Sequence, residues 1–255
     1  MKILSCDRLE FPDARSARLD PNGLLAVGGD LSPARLVLAY LSGVFPWYGK
    51  ADPPLWWSPD PRAIITAQSL RISRSMRKLL NQARFTITWN QAFRQIVQAC
   101  AAPRVSANDT WIVAEMQHAY QQLHELNIAH SIEVWQNQQL VGGLYGISLG
   151  SFFFGESMFS LQANASKVAL IRLIQQLTPF GLAFLDAQMM TPHLTSLGAL
   201  AISRNQFLDQ LDQEFAPTRK IILQHPQINP DALANLPIAR HCVANRFLAE
   251  RAPQS

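Results

Sequence analysis

Glu156 interrupts the apolar run SFFFGESMFS at 151–160. Side chains alternate along a strand, so Phe152, Phe154, Glu156, Met158 and Ser160 are expected on one face. A buried carboxylate without a partner is costly, so Glu156 must be paired or line a wet cleft. The competing placement turns Glu156 outward with Phe153 and Phe159 inward, and pattern alone favours neither. Asp186 and Gln188 close a second apolar run, LAFLDAQ. Their spacing of two puts both on one face of a strand, above Phe184. The ends of strands in such sheets often carry reactive groups, and the chemistry open to a carboxylate there is proton transfer or the holding of a cation. The plainer role for Asp186 is to cap a helix starting near Thr191, which pattern alone slightly favours.

Two further groups could meet a nucleic acid. Trp47, Tyr48, Trp56 and Trp57 are dense for so short a stretch. They suit a base-stacking platform, although such clusters are more often core. Arg71, Arg74, Arg77 and Lys78 fall in one segment. On a helix, Arg71, Arg74 and Lys78 would share a face able to meet phosphates, or would simply be a solvated basic face.

Other chemistries are poorly served. Cys6, Cys100 and Cys242 are scattered, and the histidines form no HExxH pattern, so a zinc enzyme or disulfide framework is not expected. No Walker A motif is present, and GLLAVGGD (23–30) follows no expected strand. The net charge of +4 only mildly favours an anionic partner. The N-terminus lacks the apolar run of a signal peptide, and no segment approaches 18 uninterrupted apolar residues, so a soluble cytoplasmic protein is expected.

The elements that must position these residues follow from capping and periodicity. Ser32 and Pro33 open a helix with the stripe Leu36, Leu38, Ala39 and Leu41, which Gly43 closes. Residues 1–63 are read as a small N-terminal domain. An α+β domain follows over 64–217. It begins with a short basic helix, SRSMRKLLNQ, and a helix over 90–102 with Phe93, Ile96 and Val97 inward. A helix over 110–126 follows, capped by Asn108 or Asp109. Strands HSIEVW, LVGGLYGISL and SFFFGESMFS come next, then a helix over 164–179 capped by Asn164, the strand LAFLDAQ, and helices near 193–199 and 203–214. Residues 218–255 are an extension of uncertain structure. An antiparallel meander, a helix and one more strand resemble the acetyltransferase-type (GNAT-type) fold, with a central mixed, mostly antiparallel sheet. The place where a coenzyme-A enzyme needs a glycine-bearing phosphate loop reads SLQANASKVAL, which argues against an acetyl-CoA donor.

The strings PNGLLAVGGDLSPARL, AYLSGVFPWY, LWWSPDPRAI, HSIEVW, LVGGLYGISLG, FGESMFS, NASKVAL, LDAQ and HLTSLGA occur in this order. From about Phe11 to Phe215 the chain resembles the leucyl/phenylalanyl-tRNA–protein transferase family. Ala187 stands where members often have cysteine. The resemblance implies an N-terminal domain joined to an acetyltransferase-like domain, with tRNA replacing coenzyme A. It implies transfer of Leu or Phe, and less readily Met, from Leu-tRNA or Phe-tRNA to proteins with N-terminal Arg or Lys, as a mark for N-end-rule degradation. A cytoplasmic monomer with no cofactor, metal or membrane is implied. Asp186 and Gln188 match the catalytic pair and Glu156 the pocket acid. Trp47 and Trp111 match aromatic contacts to the terminal adenosine and pocket rim. Leu144, Met158, Ser160, Leu170 and Leu185 match the side-chain pocket. The segment with Arg71, Arg74, Arg77 and Lys78 resembles the tRNA-binding patch. Whether Asp186 is a base or an electrostatic anchor stays open, as does the cation that Glu156 meets.

Overall fold

The computed structural model describes residues 1–82, 84–102, 112–225 and 227–251. Ser32 does cap a helix: its hydroxyl accepts from Arg35 N, and α1 runs Pro33–Leu41. Beside it lie β1 (Lys2–Leu4), β2 (Leu24–Gly28), β3 (Phe45–Pro46) and β4 (Leu55–Trp57). They form a four-stranded sheet in the order β1-β2-β4-β3. The aromatic cluster divides here. Trp56 is fully buried, with its indole N–H on Gly28 O, and Tyr48 is also core, whereas Trp47 is 38% exposed.

A seven-stranded sheet carries the rest. Its strands are β5 (Arg62–Ile65), β6 (Thr86–Trp89), β7 (Ala129–Gln136), β8 (Gln139–Leu149), β9 (Phe152–Ser160), β10 (Phe184–Gln188) and β11 (Leu200–Ile202), in the order β11-β5-β10-β9-β8-β7-β6. Only β9 and β10 pair in parallel; the other neighbours are antiparallel. The expected mixed, mostly antiparallel α+β plan is therefore observed. Helices α2 (Arg74–Asn81), α3 (Phe93–Ala101), α4 (Ala114–Glu125), α5 (Ala165–Leu177), α6 (Pro192–Ser196), α7 (Arg204–Gln224), α8 (Pro230–Ala234), α9 (Pro237–Arg240) and α10 (Val243–Arg251) complete the described chain. One apolar cluster joins α1, α3, α4 and α7 to one face of the large sheet, and a second joins α5, α6 and α10 to the other.

Several expectations need correction. Arg71 precedes α2, which Ser73 caps, so the shared helical face of Arg71, Arg74 and Lys78 does not form. Asn164 holds the capping position of α5 at φ +70°, but its side chain makes no capping bond. The expected caps Asn108 and Asp109 lie outside the described residues. The helix near 203–214 runs on to Gln224 through Pro217, because Phe215, Thr218 and Ile222 continue its buried stripe. That packing outweighs the hydrogen bond a proline removes. The tail is also ordered: Gly150 donates to Ile238 O and accepts from Val243 N, at 2.7 and 2.9 Å.

Two strand irregularities build the site. The β8–β9 register passes from Tyr145↔Ser157 to Gly146↔Gly155, leaving Glu156 as the extra residue of a bulge. A Cβ on Gly146 would lie 2.2 Å from Phe154 O, so the turn of backbone at the bulge demands glycine there. The second irregularity falls between Asp186 and Gln188 on β10. The parallel pairing of β9 with β10 stops at Phe154↔Asp186, so beyond that point the two strands part.

Candidate active site

A cavity of about 810 Å³ opens where β9 and β10 separate. Leu144, Met158, Ser160, Leu170 and Leu185 all line it, together with Glu156, Gln188 and Trp47. These expected residues are thus brought together. Trp111 lies outside the described residues. Arg71, Arg74, Arg77 and Lys78 are exposed and away from the cavity lining.

The bulge changes the face on which Glu156 sits. Phe154 packs into the cluster of Tyr40 and Tyr120, while Met158 packs against the cluster of Leu144 and Leu170 on the opposite face. The extra residue shifts the alternation, so Glu156 does not share a face with Met158 and Ser160. All three still reach the cavity because it runs along the part of β9 that β10 has left.

Glu156 is 7% exposed and is the one carboxylate among the described residues lining the cavity. Tyr40 OH donates to its Oε1 at 2.8 Å, Tyr120 OH to its Oε2 at 2.5 Å, and Gln188 Nε2 to Oε1 at 3.1 Å. The two phenol oxygens lie 2.7 Å apart. These three oxygen pairs form a closed ring. An ionised Glu156 leaves the ring two protons for three contacts, because each phenol has one. A protonated Glu156 supplies the third, and every contact becomes a hydrogen bond. Burial pushes the Glu156 carboxyl up to about 7, against the opposing pull of Tyr120 and Tyr40. Burial first, and then the charge of Glu156, hold both phenols well above their ordinary range, so they act as donors and not as phenolates.

Asp186 is placed differently from Glu156. It is fully buried and does not line the cavity. Arg62 grips it with Nε on Oδ1 at 2.9 Å and Nη2 on Oδ2 at 2.7 Å. Arg62 also donates to Gly43 O and lies against the rings of Phe45 and Phe207, at 4.9 and 4.4 Å. Asp186 Oδ1 accepts from Gln188 N at 2.9 Å. Thr191, not Asp186, caps α6. Gln188 has φ +63°, a conformation that costs a side-chain-bearing residue on the order of 1–3 kcal/mol. The bond from its N–H to Asp186 holds it there and aims its amide at Glu156. Tyr40, Tyr120 and Arg62 were not expected at the site. Arg62 stands in WWSPDPR and Tyr40 in AYLSG, but only the third dimension connects them to Asp186 and Glu156.

The sequence profile of the leucyl/phenylalanyl-tRNA protein transferase matches residues 64–212, and that of its N-terminal domain matches 29–60. The chain belongs to the leucyl/phenylalanyl-tRNA–protein transferase family. It is 55% identical over 208 residues to the transferase of Hahella chejuensis, covering 82% of this chain and 89% of that one. Identity to the Pseudomonas aeruginosa transferase is 55% over 210 residues, covering 82% and 93%. A GCN5-related N-acetyltransferase-like protein of Streptococcus suis aligns in structure at 13% identity and a TM-score of 0.35, over 70% of this chain and 67% of that one. The chain is therefore an aminoacyl-tRNA–protein transferase. No described helix is long and apolar enough to cross a membrane.

Proposed function

We propose that the chain transfers Leu or Phe, and less readily Met, from aminoacyl-tRNA to the N-terminal Arg or Lys of a protein, marking it for N-end-rule degradation. It would do so as a monomer in the cytoplasm. The observation that carries the reading is an apolar cavity with one carboxylate of raised proton affinity at its polar end. Leu144, Met158, Leu170 and Leu185 would hold the donor side chain, with Ser160 at the edge. Separating Leu, Phe and Met by a methylene or so is worth about 1–3 kcal/mol, which gives preference and not exclusion. Trp47 would stack on the terminal adenosine, and Arg71, Arg74, Arg77 and Lys78 would meet the tRNA phosphates.

The donor ester is already activated. The acceptor α-amine has an ordinary pKa of about 7.7–8. Moving its proton to Glu156 near 7 costs about 1.4 kcal/mol, whereas an ordinary carboxylate near 4.5 would cost about 4–5 kcal/mol. In this mechanism the neutral amine attacks the ester carbonyl, and Glu156 takes the proton that the amine gives up. That proton completes the ring with Tyr40 and Tyr120. It then goes to the 3′ oxygen as the carbon–oxygen bond breaks. Gln188 would orient the amine and the carbonyl, and Asp186 would act through Gln188 as a positioning anchor.

The test mixes the protein with charged Leu-tRNA and a peptide beginning with Lys or Arg. A mass gain of one leucine at the peptide's N-terminus is expected. Binding of the tRNA with no gain on any such peptide would overturn the reading.

A further inference from the structure

A polar stretch separates the cavity from the basic helix α2. Ser166 and Leu170 on α5 both line the cavity, and Lys167 lies between them in sequence, partly exposed. His193, in α6, lines the cavity from the other side and is exposed. α5 and α6 are both tied to the α2 region: Arg172 Nη2 donates to Leu80 O at 2.9 Å, and Arg71 N to Leu197 O at 2.9 Å. Neither Lys167 nor His193 makes an ion pair among the described residues. The two are close enough that, after burial, the charge of Lys167 is what holds the His193 ring below its ordinary range. Two basic side chains facing each other without an acid leave a place that favours an anion.

We infer that Lys167, with His193 opposite, forms a subsite for the phosphodiester on the 5′ side of the donor's terminal nucleoside. This rests on the proposed function. Any nucleic acid with its ester in the cavity and its body on α2 must pass a strand across this stretch. Lys167 meets the phosphate as a point charge. His193, mainly neutral, donates one ring N–H. The subsite makes the donor's single-stranded end a separate binding unit, independent of both the side-chain pocket and the basic helix.

The test compares two leucyl esters, one of adenosine and one of the trinucleotide CCA, as donors to a Lys-initiated peptide. Lys167→Gln is expected to raise KM for the trinucleotide about tenfold, with kcat unchanged and the nucleoside KM unchanged. Losing one contact on a single strand lowers the salt slope of log KM by about 0.7. Lys167→Arg is expected to keep the wild-type preference. The unchanged nucleoside KM reports that the variant is folded. Equal effects on both donors, or none on either, would overturn the subsite. Binding of uncharged CCA against adenosine, read from tryptophan fluorescence, is measured in parallel. A wild type that binds CCA through Lys167 but transfers from neither ester would overturn the proposed function and leave the subsite standing.

Discussion

Two carboxylates of similar appearance in the sequence have opposite situations. Asp186 has every lone pair directed at Arg62 or Gln188 N and no contact with the cavity, while Glu156 faces it with a proton missing from its ring. Removing one partner of a buried pair leaves the other uncompensated, so Asp186→Ala is expected to lose about 3–5 kcal/mol, measurable by urea unfolding. Replacing both partners, as Arg62→Met with Asp186→Leu, is expected to restore most stability, because an apolar pair avoids the desolvation cost. Transfer should stay lost, since Gln188 N then has no acceptor. A stable double variant with wild-type kcat would show that Asp186 positions nothing. The sequence made both acids visible, through their strands and the family strings. It could not rank them, because Tyr40 and Tyr120 are 116 and 36 positions from Glu156, and Arg62 is 124 from Asp186.

Capping and period-two runs marked the strands and most helices, since those signals are local. The bulge at Glu156 is also local in effect, yet alternation could not show it: one inserted residue reverses every later face. Its trace was the glycine pattern of LVGGLYG, opposite the FGE of the next strand. Gly142 has the same kind of reason, because a Cβ there would meet Ala165 Cβ at 2.5 Å and push α5 off the sheet. α5 brings Leu170 against the wall that β8 and β9 supply with Leu144 and Met158. Narrowing that wall should change donor choice and not the chemistry. Leu144→Phe is expected to lower kcat/KM for Phe-tRNA about tenfold relative to Leu-tRNA, measured in competition. The length of α7 was missed for a physical reason: Pro217 reads as a stop, and only its packed stripe carries the helix past it.

At the scale of the whole molecule, two buried groups set opposing pH responses. His130 is fully buried, accepts from Asn90 Nδ2 at 3.0 Å, and is pushed down to about 3 by that burial. Its folded pKa is below its unfolded value of about 6.5, so its contribution is present above 6.5 and lost as pH falls toward 3. Glu156 is raised, from 4.5 to about 7, so its contribution is present below 4.5 and lost as pH rises through 7. Between about pH 4.5 and 6.5 the two slopes, each about 1.4 kcal/mol per unit, oppose one another. Glu156→Gln removes one of them. Its Tm is expected to climb with pH across that window more steeply than that of the wild type, and parallel curves would contradict the raised proton affinity of Glu156. The same proton governs the rate, so the most direct test of the account is a pH–rate profile of leucine transfer to one fixed peptide by wild type, Tyr120→Phe and Glu156→Gln. The account predicts a limb rising near pH 7 for the wild type and at higher pH for Tyr120→Phe, which loses a bond that stabilises the carboxylate. It predicts at least a hundredfold lower rate, without that limb, for Glu156→Gln. A Glu156→Gln enzyme with the wild-type rate and profile would contradict it.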